Sequence, residues 1–309
     1  MGIRVGISAL LVSASLVAGA TGVSTDQRAD APFGQAARLP AVGHGQLDAG
    51  AVLSMVRAEG LAVVPPDAQA ELAARAARLA TALEELGGEV SVAVRDVESG
   101  TEIVVGDTVV EAASLMKVDI VATLLRQEAG RPDRHDRALA RAMIAVSDNP
   151  ATDEMLEDVG TESVNEFLSD AGAVTRLEGR EWGRTPTSAE DRLRMVRAVL
   201  GEDSLLDGRS ERLLRRLMTR VADDQRIGVS AAADRPGRTP LKAGYIPDER
   251  SDRWYVSSMG EVQAEGRTYQ VAVVSSGHRS LEDGTARIER AARLAVAELA
   301  DLNSGAPAA

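Results

Sequence analysis

The sequence predicts an α+β protein in which a five-stranded antiparallel sheet is flanked by N- and C-terminal helices and an all-helical lobe is inserted between its strands. Strand-like segments fall into two groups, near residues 90–110 and 239–275, and the chain between them has helical spacing almost throughout. Strands at both ends of a chain most simply join in one sheet, with the terminal helices on it. We therefore expect one domain over residues 61–305, with its helical lobe at about residues 115–235.

The first elements of this domain are a helix and a hairpin. The helix is expected to begin at Pro65-Pro66-Asp67 and to end at Gly87-Gly88. Glu98-Ser99-Gly100 is typical of a turn between two strands, the second of which is predicted over Thr101–Val110. The apolar stripe of the helix and the alternating residues of the first strand are Leu72, Ala76, Leu79, Leu83 and Leu86, and then Val90, Val92 and Val94.

The lobe is expected to contain several helices. Thr161 is predicted to cap one of them, and Thr187-Ser188-Ala189-Glu190 has the pattern of a capping box for another. Apolar stripes predict further helices at Ala138–Val146 and around Leu213–Met218. The remaining predicted elements are strands at Thr239–Ile246, Trp254–Val262 and Thr268–Ser275 and a last helix at Leu281–Leu302.

The N-terminal segment predicts the compartment. Arg4 precedes an apolar run from Val5 to Ala20 that ends in Ala18-Gly19-Ala20, a pattern typical of a secretory signal peptide at residues 1–20. An uncleaved anchor is the alternative, although the run is short for a membrane span. Residues 21–60 lack lasting periodicity and are interpreted as a flexible linker. The mature protein is expected to be secreted or extracytoplasmic.

Composition excludes several classes of partner. The chain has 309 residues, of which only 2% are aromatic, so we expect an aliphatic core. Its net charge of −12 argues against nucleic acid. It has no cysteine, and its three histidines, His44, His135 and His278, do not have the spacing of a ligand set, so no metal is expected. We expect no cofactor and a monomer that acts on a small-molecule or peptide substrate.

A serine followed three residues later by a lysine stands where the second strand gives way to the lobe. A helix that begins near Ser114 places Ser114 and Lys117 on one face, and an amine beside a hydroxyl can activate a weak nucleophile. Of the 35 Lys and Arg residues, only Lys117 and Lys242 are lysine. A guanidinium cannot give up its proton whereas a buried ammonium can, so these two lysines indicate a chemical role. Codon bias with two chance survivors is the alternative.

Two more short motifs follow this pair. Ser147-Asp148-Asn149 begins 33 residues after Ser114, and Lys242-Ala243-Gly244 begins 95 residues after Ser147. Penicillin-recognising serine hydrolases carry Ser-x-x-Lys, Ser-Asp-Asn and Lys-Thr-Gly in this order. The sequence resembles that family, and class A β-lactamases in particular, over roughly residues 72–302, including the order of helices and strands. The resemblance implies a β-lactamase/transpeptidase-like fold.

The resemblance also implies a role for each matched residue. Ser114 would attack an amide or lactam carbonyl to form an acyl-enzyme, with Lys117 as a candidate base. Ser147 would bridge the two lysines and pass a proton to the leaving nitrogen. Asn149 would bind the substrate amide. Lys242 would bind the substrate carboxylate and help keep Lys117 deprotonated by like-charge repulsion.

Two backbone features complete the implied site. The N–H groups of Ser114 and Tyr245 would form the oxyanion hole. Gly244 would let its strand approach the ligand without a side chain in the way.

The chain departs from the family pattern at two places. Residue 243 is Ala where the family carries Thr or Ser, which removes a hydroxyl expected to bind the substrate carboxylate and weakens binding by about 1 kcal/mol. Class A enzymes also have a longer loop with a Glu and an Asn that hold the deacylating water. Here the loop after Leu177 is short, and Glu181 is the nearest substitute, with Glu178 as the other candidate. The resemblance therefore supports acylation more strongly than rapid β-lactam turnover.

Structural interpretations and other functions stay open. Ser114 could cap its helix, Asp148-Asn149 before Pro150 is a common turn signal, and Gly244 could mark a bulge. The leading function is an exported serine hydrolase that acts on β-lactams or related amides. A D,D-peptidase or amidase acting on cell-wall peptides, with slow β-lactam deacylation, is the second, and a non-catalytic binding protein on the same fold is the third.

Overall fold

The computed structural model describes residues 56–58, 66–202 and 204–304. The predicted signal segment, residues 1–20, lies outside these residues. Of the predicted linker, residues 21–60, only the three residues 56–58 are described, and they form a strand.

The architecture is a central antiparallel sheet with helices on it, which is the predicted fold class. The sheet has the order β1-β3-β2-β8-β7-β6, and β4 and β5 form a separate two-stranded ladder. Its inner strands are buried on both faces, because adjacent residues such as Val273 and Val274 are both fully buried. The strands are β1 Val56–Ala58, β2 Glu89–Asp96, β3 Thr101–Val105, β4 Val110–Glu111, β5 Pro186–Thr187, β6 Leu241–Asp248, β7 Arg253–Ala264 and β8 Arg267–His278.

Eight α-helices surround this sheet in the described part of the chain. The first and last pack against each other and against the sheet, and α2 to α7 lie in sequence between β3 and β6. None of the described helices is long and apolar enough to cross a bilayer. The helices are α1 Pro66–Leu86, α2 Met116–Gln127, α3 Arg134–Ala145, α4 Asn149–Val159, α5 Thr161–Asp170, α6 Ala189–Leu200, α7 Gly208–Thr219 and α8 Leu281–Ser304.

The sheet differs from the prediction in two details. A sixth strand, β1, adds to the edge of β3 through pairs such as Val56 with Ile103, and the sequence did not predict it. The strand expected over Thr101–Val110 is also interrupted. Gly106 has a φ of +85°, and a Cβ there would collide with the Ser91 hydroxyl. That hydroxyl accepts a hydrogen bond from the Thr108 N–H at 2.9 Å, so the chain turns before it pairs again in β4.

Two helix caps lie one residue away from their predicted positions. Gly160 is the N-cap of α5, and the Thr161 hydroxyl donates instead to the Gly179 carbonyl at 2.8 Å. Helix α6 is capped by Ser188, whose hydroxyl accepts from the Asp191 N–H, so the box expected from Thr187 to Glu190 is wrong. Thr187 lies in β5, where strand pairing with Val110 fixes its backbone.

Helix α2 is the buried centre of the lobe. All residues from Met116 to Leu125 are buried, including the polar Lys117 and Asp119. Asp119 is held by Arg192 of α6, which donates to its carboxylate at 2.6 Å, and neither side chain is exposed to solvent. Burial raises the pKa of Asp119 above its ordinary value, while the charge and hydrogen bond of Arg192 oppose this rise. The ion pair fixes α2 against α6, and α2 carries residues of the site described next.

Candidate active site

A strained turn presents Ser114 between β4 and α2. Residues Ala113–Leu115 form a short 3-10 helix, and Ala113 has a φ of +47°, which is rare for a residue with a side chain. Strand β6 lies against this turn. A Cβ at Gly244 would come within 2.9 Å of the Ala112 carbonyl oxygen and 3.1 Å of the Ser114 nitrogen. Only glycine therefore allows β6 to lie this close to the serine, because any side chain at position 244 would meet the backbone of the turn.

The amine of Lys117 is directed at Ser114. Its Nζ atom lies 3.0 Å from Ser114 Oγ, 2.8 Å from the carbonyl oxygen of Ser147 and 2.7 Å from Asn149 Oδ1. Ser114 does not cap α2, because the N-cap is Leu115 and no side chain caps that end. The Ser114 hydroxyl is thus aimed at the site and not at the helix backbone.

Ser147 connects the two lysines. Its Oγ atom lies 2.8 Å from Ser114 Oγ, 3.3 Å from Lys117 Nζ and 3.1 Å from Lys242 Nζ. Its φ of +60° turns the chain just before α4. Asp148 caps that helix by accepting from the Ala151 N–H at 2.8 Å. The alternative that this motif is a structural signal therefore holds for Asp148, which caps the helix. Ser147 and Asn149, on either side of it, contact the lysines.

Burial lowers the pKa of both amines. The pKa of Lys117 falls to about 8, because desolvation outweighs the nearby charges of Asp148 and Asp153. The pKa of Lys242 falls to about 7 through burial and through repulsion from Lys117. The repulsion expected between the two amines acts here on Lys242.

The groups expected to bind substrate surround this centre. Asn149 is exposed, and its Oδ1 accepts from Lys117, which leaves its Nδ2 group to donate to a substrate. The Glu261 N–H of β7 donates to the Pro240 carbonyl. Successive residues of an antiparallel strand direct their N–H groups to alternate sides, and Tyr245 is five residues after Pro240. The Tyr245 N–H therefore points away from β7, toward the open edge of β6. Ala243 is only 1% exposed, so its methyl group does not line an open surface. The Ala243 carbonyl accepts from Lys242 at 2.9 Å.

No hydrogen bond or ion pair of the described residues joins the Glu181 or Glu178 carboxylate to Ser114, Lys117 or Ser147. Both glutamates are exposed, and they line a surface cavity of about 540 Å³ beside the loop between α5 and α6. The lining of that cavity does not include Ser114, Lys117 or Ser147. The role of Glu181 in deacylation therefore stays a prediction without a contact to support it.

The residue of this loop that faces the amine is Trp182, which the sequence did not single out. Its ring centre lies 4.5 Å from Lys117 Nζ, and its indole N–H donates to Asp153 Oδ1 at 2.8 Å. Gln225 was also missed; its amide donates to the Tyr245 hydroxyl at 3.2 Å. The sequence did contain a signal for Trp182 and for its partner Asp153. Trp182 is one of two tryptophans in the chain, and Asp153 lies one helical turn after Asn149.

The arrangement can perform nucleophilic acyl transfer. It combines a hydroxyl, an adjacent amine that ionises near neutral pH, a second hydroxyl for proton relay and backbone donors beside the nucleophile. Within the described residues no group of three or more His, Asp or Glu could hold a metal ion.

Comparisons with known proteins identify the family of the chain. A family model described as "Beta-lactamase enzyme family" matches residues 73–137 and 136–299, well over half of the chain. None of the curated proteins compared with the chain matches it.

Solved structures show the same fold at low sequence identity. An acyl-enzyme complex of a PBP-A point mutant with penicillin G has a TM-score of 0.62 at 19% identity, covering 74% of this chain and 97% of its own. A class A β-lactamase from Mycobacterium abscessus has a TM-score of 0.59 at 19% identity, with 73% and 99% covered. A β-lactamase from Chitinophaga pinensis has a TM-score of 0.61 at 16% identity, with 72% and 97% covered.

Proposed function

The chain belongs to the beta-lactamase enzyme family, as a serine hydrolase of that family, and from this premise we propose that it forms an acyl-enzyme through Ser114 with β-lactams or related amides. The contact between Lys117 Nζ and Ser114 Oγ at 3.0 Å carries this proposal. An amine with a pKa of about 8 at that distance can accept the proton of the attacking hydroxyl at physiological pH.

Acylation follows from the order of the contacts. Ser114 Oγ attacks the carbonyl carbon while its proton moves to Lys117 Nζ. The N–H groups of Ser114 and Tyr245 stabilise the negative charge on the carbonyl oxygen. Ser147 Oγ, which contacts both amines, then delivers a proton to the leaving nitrogen and is reprotonated by a lysine. The C–N bond breaks, an ester to Ser114 remains, and the leaving amine carries the transferred proton.

Lys242 binds the acidic end of the substrate less strongly than a permanently charged group would. It is fully buried, and its Nζ contacts Ser147 Oγ and the Ala243 carbonyl. With a pKa of about 7 it is largely neutral above that pH until a carboxylate approaches and raises its pKa. Together with the loss of a hydroxyl at position 243, this favours weak dependence on a substrate carboxylate.

Deacylation is slow in this proposal. Hydrolysis of the ester needs a base beside a water molecule, and Glu181 lines a surface cavity whose lining does not include Ser114. Slow deacylation keeps a D,D-peptidase or amidase that acts on cell-wall peptides as the second candidate. The signal-like segment at residues 1–20 supports the proposal that either activity lies outside the cytoplasm.

A comparison of substrates separates the two candidates. Purified protein is incubated with penicillin G and, separately, with an acyl-D-Ala-D-Ala peptide, and ring-opened penicillin and released D-Ala are followed over time. Ser114→Ala serves as the inactive variant and Ser251→Ala, an exposed turn serine, as the matched control. Release of D-Ala with little penicillin turnover favours the peptidase, and the opposite favours the lactamase. Equal rates in wild type and Ser114→Ala would contradict both.

A further inference from the structure

We propose that Trp182 sets the lifetime of the acyl-enzyme by covering the Lys117 amine and keeping water from it. The inference rests on the proposed acyl-enzyme at Ser114 and assigns a residue to the slow step that follows. Trp182 acts here through Lys117 and is therefore a positioning residue.

The surroundings of the amine leave no place for water beside it. An ammonium group has three hydrogens, and Lys117 Nζ already has oxygen partners on Ser114, Ser147 and Asn149. The indole ring lies on its remaining side, with the ring centre 4.5 Å from Nζ. A ring at that distance attracts the charged amine and also fills the volume that a water molecule would need.

Trp182 is held in this position from two directions. Its N–H donates to Asp153 on α4, the helix that begins with Asn149. Its own 3-10 helix, Trp182–Arg184, is joined to the nucleophile turn, because the Ala112 N–H donates to the Thr185 carbonyl at 2.8 Å. The ring is thus fixed relative to both halves of the site.

The loop that carries Trp182 is anchored along its length as well. Buried Asn165 forms two hydrogen bonds with the backbone of Leu177, at 2.8 and 2.9 Å. Arg184 forms a bidentate contact with Glu111 next to the nucleophile turn, at 3.1 Å to each oxygen. The loop is short, but it is not free to lift the ring away from the amine.

The same contacts occupy the carboxylates nearest to the amine. Asp148 accepts from the Ala151 N–H as the cap of α4, and Asp153 accepts from Trp182. Both charges act on Lys117. Removal of the ring opens the volume over the amine to water.

The test measures acylation and deacylation separately. Wild-type protein and variants are acylated with penicillin G, excess reagent is removed, and the decay of the adduct is followed by intact-protein mass. Trp182→Ala should shorten the adduct lifetime by roughly tenfold or more, while Trp182→Phe, which keeps a ring over the amine but loses the N–H that Asp153 holds, should shorten it less. Ser251→Ala, the exposed turn variant used as the matched control above, should leave the lifetime unchanged.

A second variant tests the same point from the opposite side. Asp153→Ala removes the acceptor that holds the indole, lies at an exposed position and should also shorten the lifetime. Thermal unfolding of each variant identifies loss of the fold. An unchanged adduct lifetime in both Trp182→Ala and Asp153→Ala, or a Phe variant that decays as fast as the Ala variant, would overturn the inference. Absence of both an adduct and ring-opened penicillin with the wild type would instead overturn the proposed function, before the variants are compared. Ring-opened penicillin without an adduct would overturn the inference, because it leaves no long-lived acyl-enzyme to explain.

Discussion

The Nζ atom of Lys117 lies 3.0 Å from the Oγ atom of Ser114, one helical turn earlier in the chain. Helix α2 buries Lys117 completely, and burial makes this amine a base near neutral pH. The same burial applies to Lys242, and the Ser147 hydroxyl contacts both amines, whose pKa values are both lowered. A buried amine of this kind can take up the proton of the Ser114 hydroxyl.

Lys117→Arg should lose acylation although the positive charge is kept. A guanidinium stays protonated at all relevant pH values and cannot accept the Ser114 proton. We expect the acylation rate to fall by roughly 10² to 10⁴, the usual contribution of a positioned base. The rate of adduct formation with penicillin G measures this. An arginine variant that acylates at the wild-type rate would remove Lys117 from the proton transfer.

Acylation should rise with pH through about 8, the pKa of Lys117, and then level off. Asp153→Asn removes a negative charge that raises this pKa but keeps an oxygen for the Trp182 N–H. The midpoint of the profile should therefore move to lower pH in this variant. Acylation rates measured from pH 6 to 9.5 check the shift. A midpoint that moves upward would mean that Asp153 does not act on Lys117 through its charge.

Lys242 should make the folded state less stable at neutral pH than at high pH. Its pKa of about 7 in the folded state is below its ordinary value of 10.5, so the unfolded chain binds more protons between these values. Lys242 therefore increases the free energy of unfolding as pH rises from about 7 toward 10. Lys242→Met should remove this gain. Urea denaturation of both proteins at pH 7, 8 and 9 measures the difference, and parallel pH dependences would contradict the assignment.

Arg192→Leu should destabilise the lobe strongly. Asp119 is fully buried, and without Arg192 its carboxylate is a buried group with no compensating charge. We expect a loss of about 3–5 kcal/mol in the free energy of unfolding. The double variant Asp119→Leu/Arg192→Leu should lose less, because no lone charge remains. Urea denaturation compares the two. A double variant as unstable as the single one would show that packing, and not charge, dominates at this position.

The sequence predicted the parts of the site that lie in regular elements. Ser114 and Lys117 face the same way because helical periodicity determines their separation. Lys242 could be identified because nearly every other basic residue of this chain is arginine. Strands β2, β3 and β6 to β8 were found because alternation over several residues carries a clear signal.

The rest depends on backbone conformations that residue types do not determine. Strand β1 has three residues, too few to show alternation. In the loop between α5 and α6, counting from Leu177 pointed to Glu181, whereas the side chain that meets Lys117 is the next one. Glu181 has a φ of −84° and a ψ of 53° and is the N-cap residue before the 3-10 helix that Trp182 begins. Such a one-residue difference is settled by tertiary contacts, here the bond from Trp182 to Asp153.

The most direct test of the account is to locate the adduct. Wild-type protein and Ser114→Ala are incubated briefly with penicillin G, and intact mass is followed by peptide mapping. We predict a mass increase of one penicillin that persists on the wild type, maps to the peptide containing Ser114 and is absent from Ser114→Ala. An adduct on another residue, an adduct that survives in Ser114→Ala, or neither adduct nor ring-opened penicillin with the wild type would contradict the assignment of Ser114 as the nucleophile toward β-lactams.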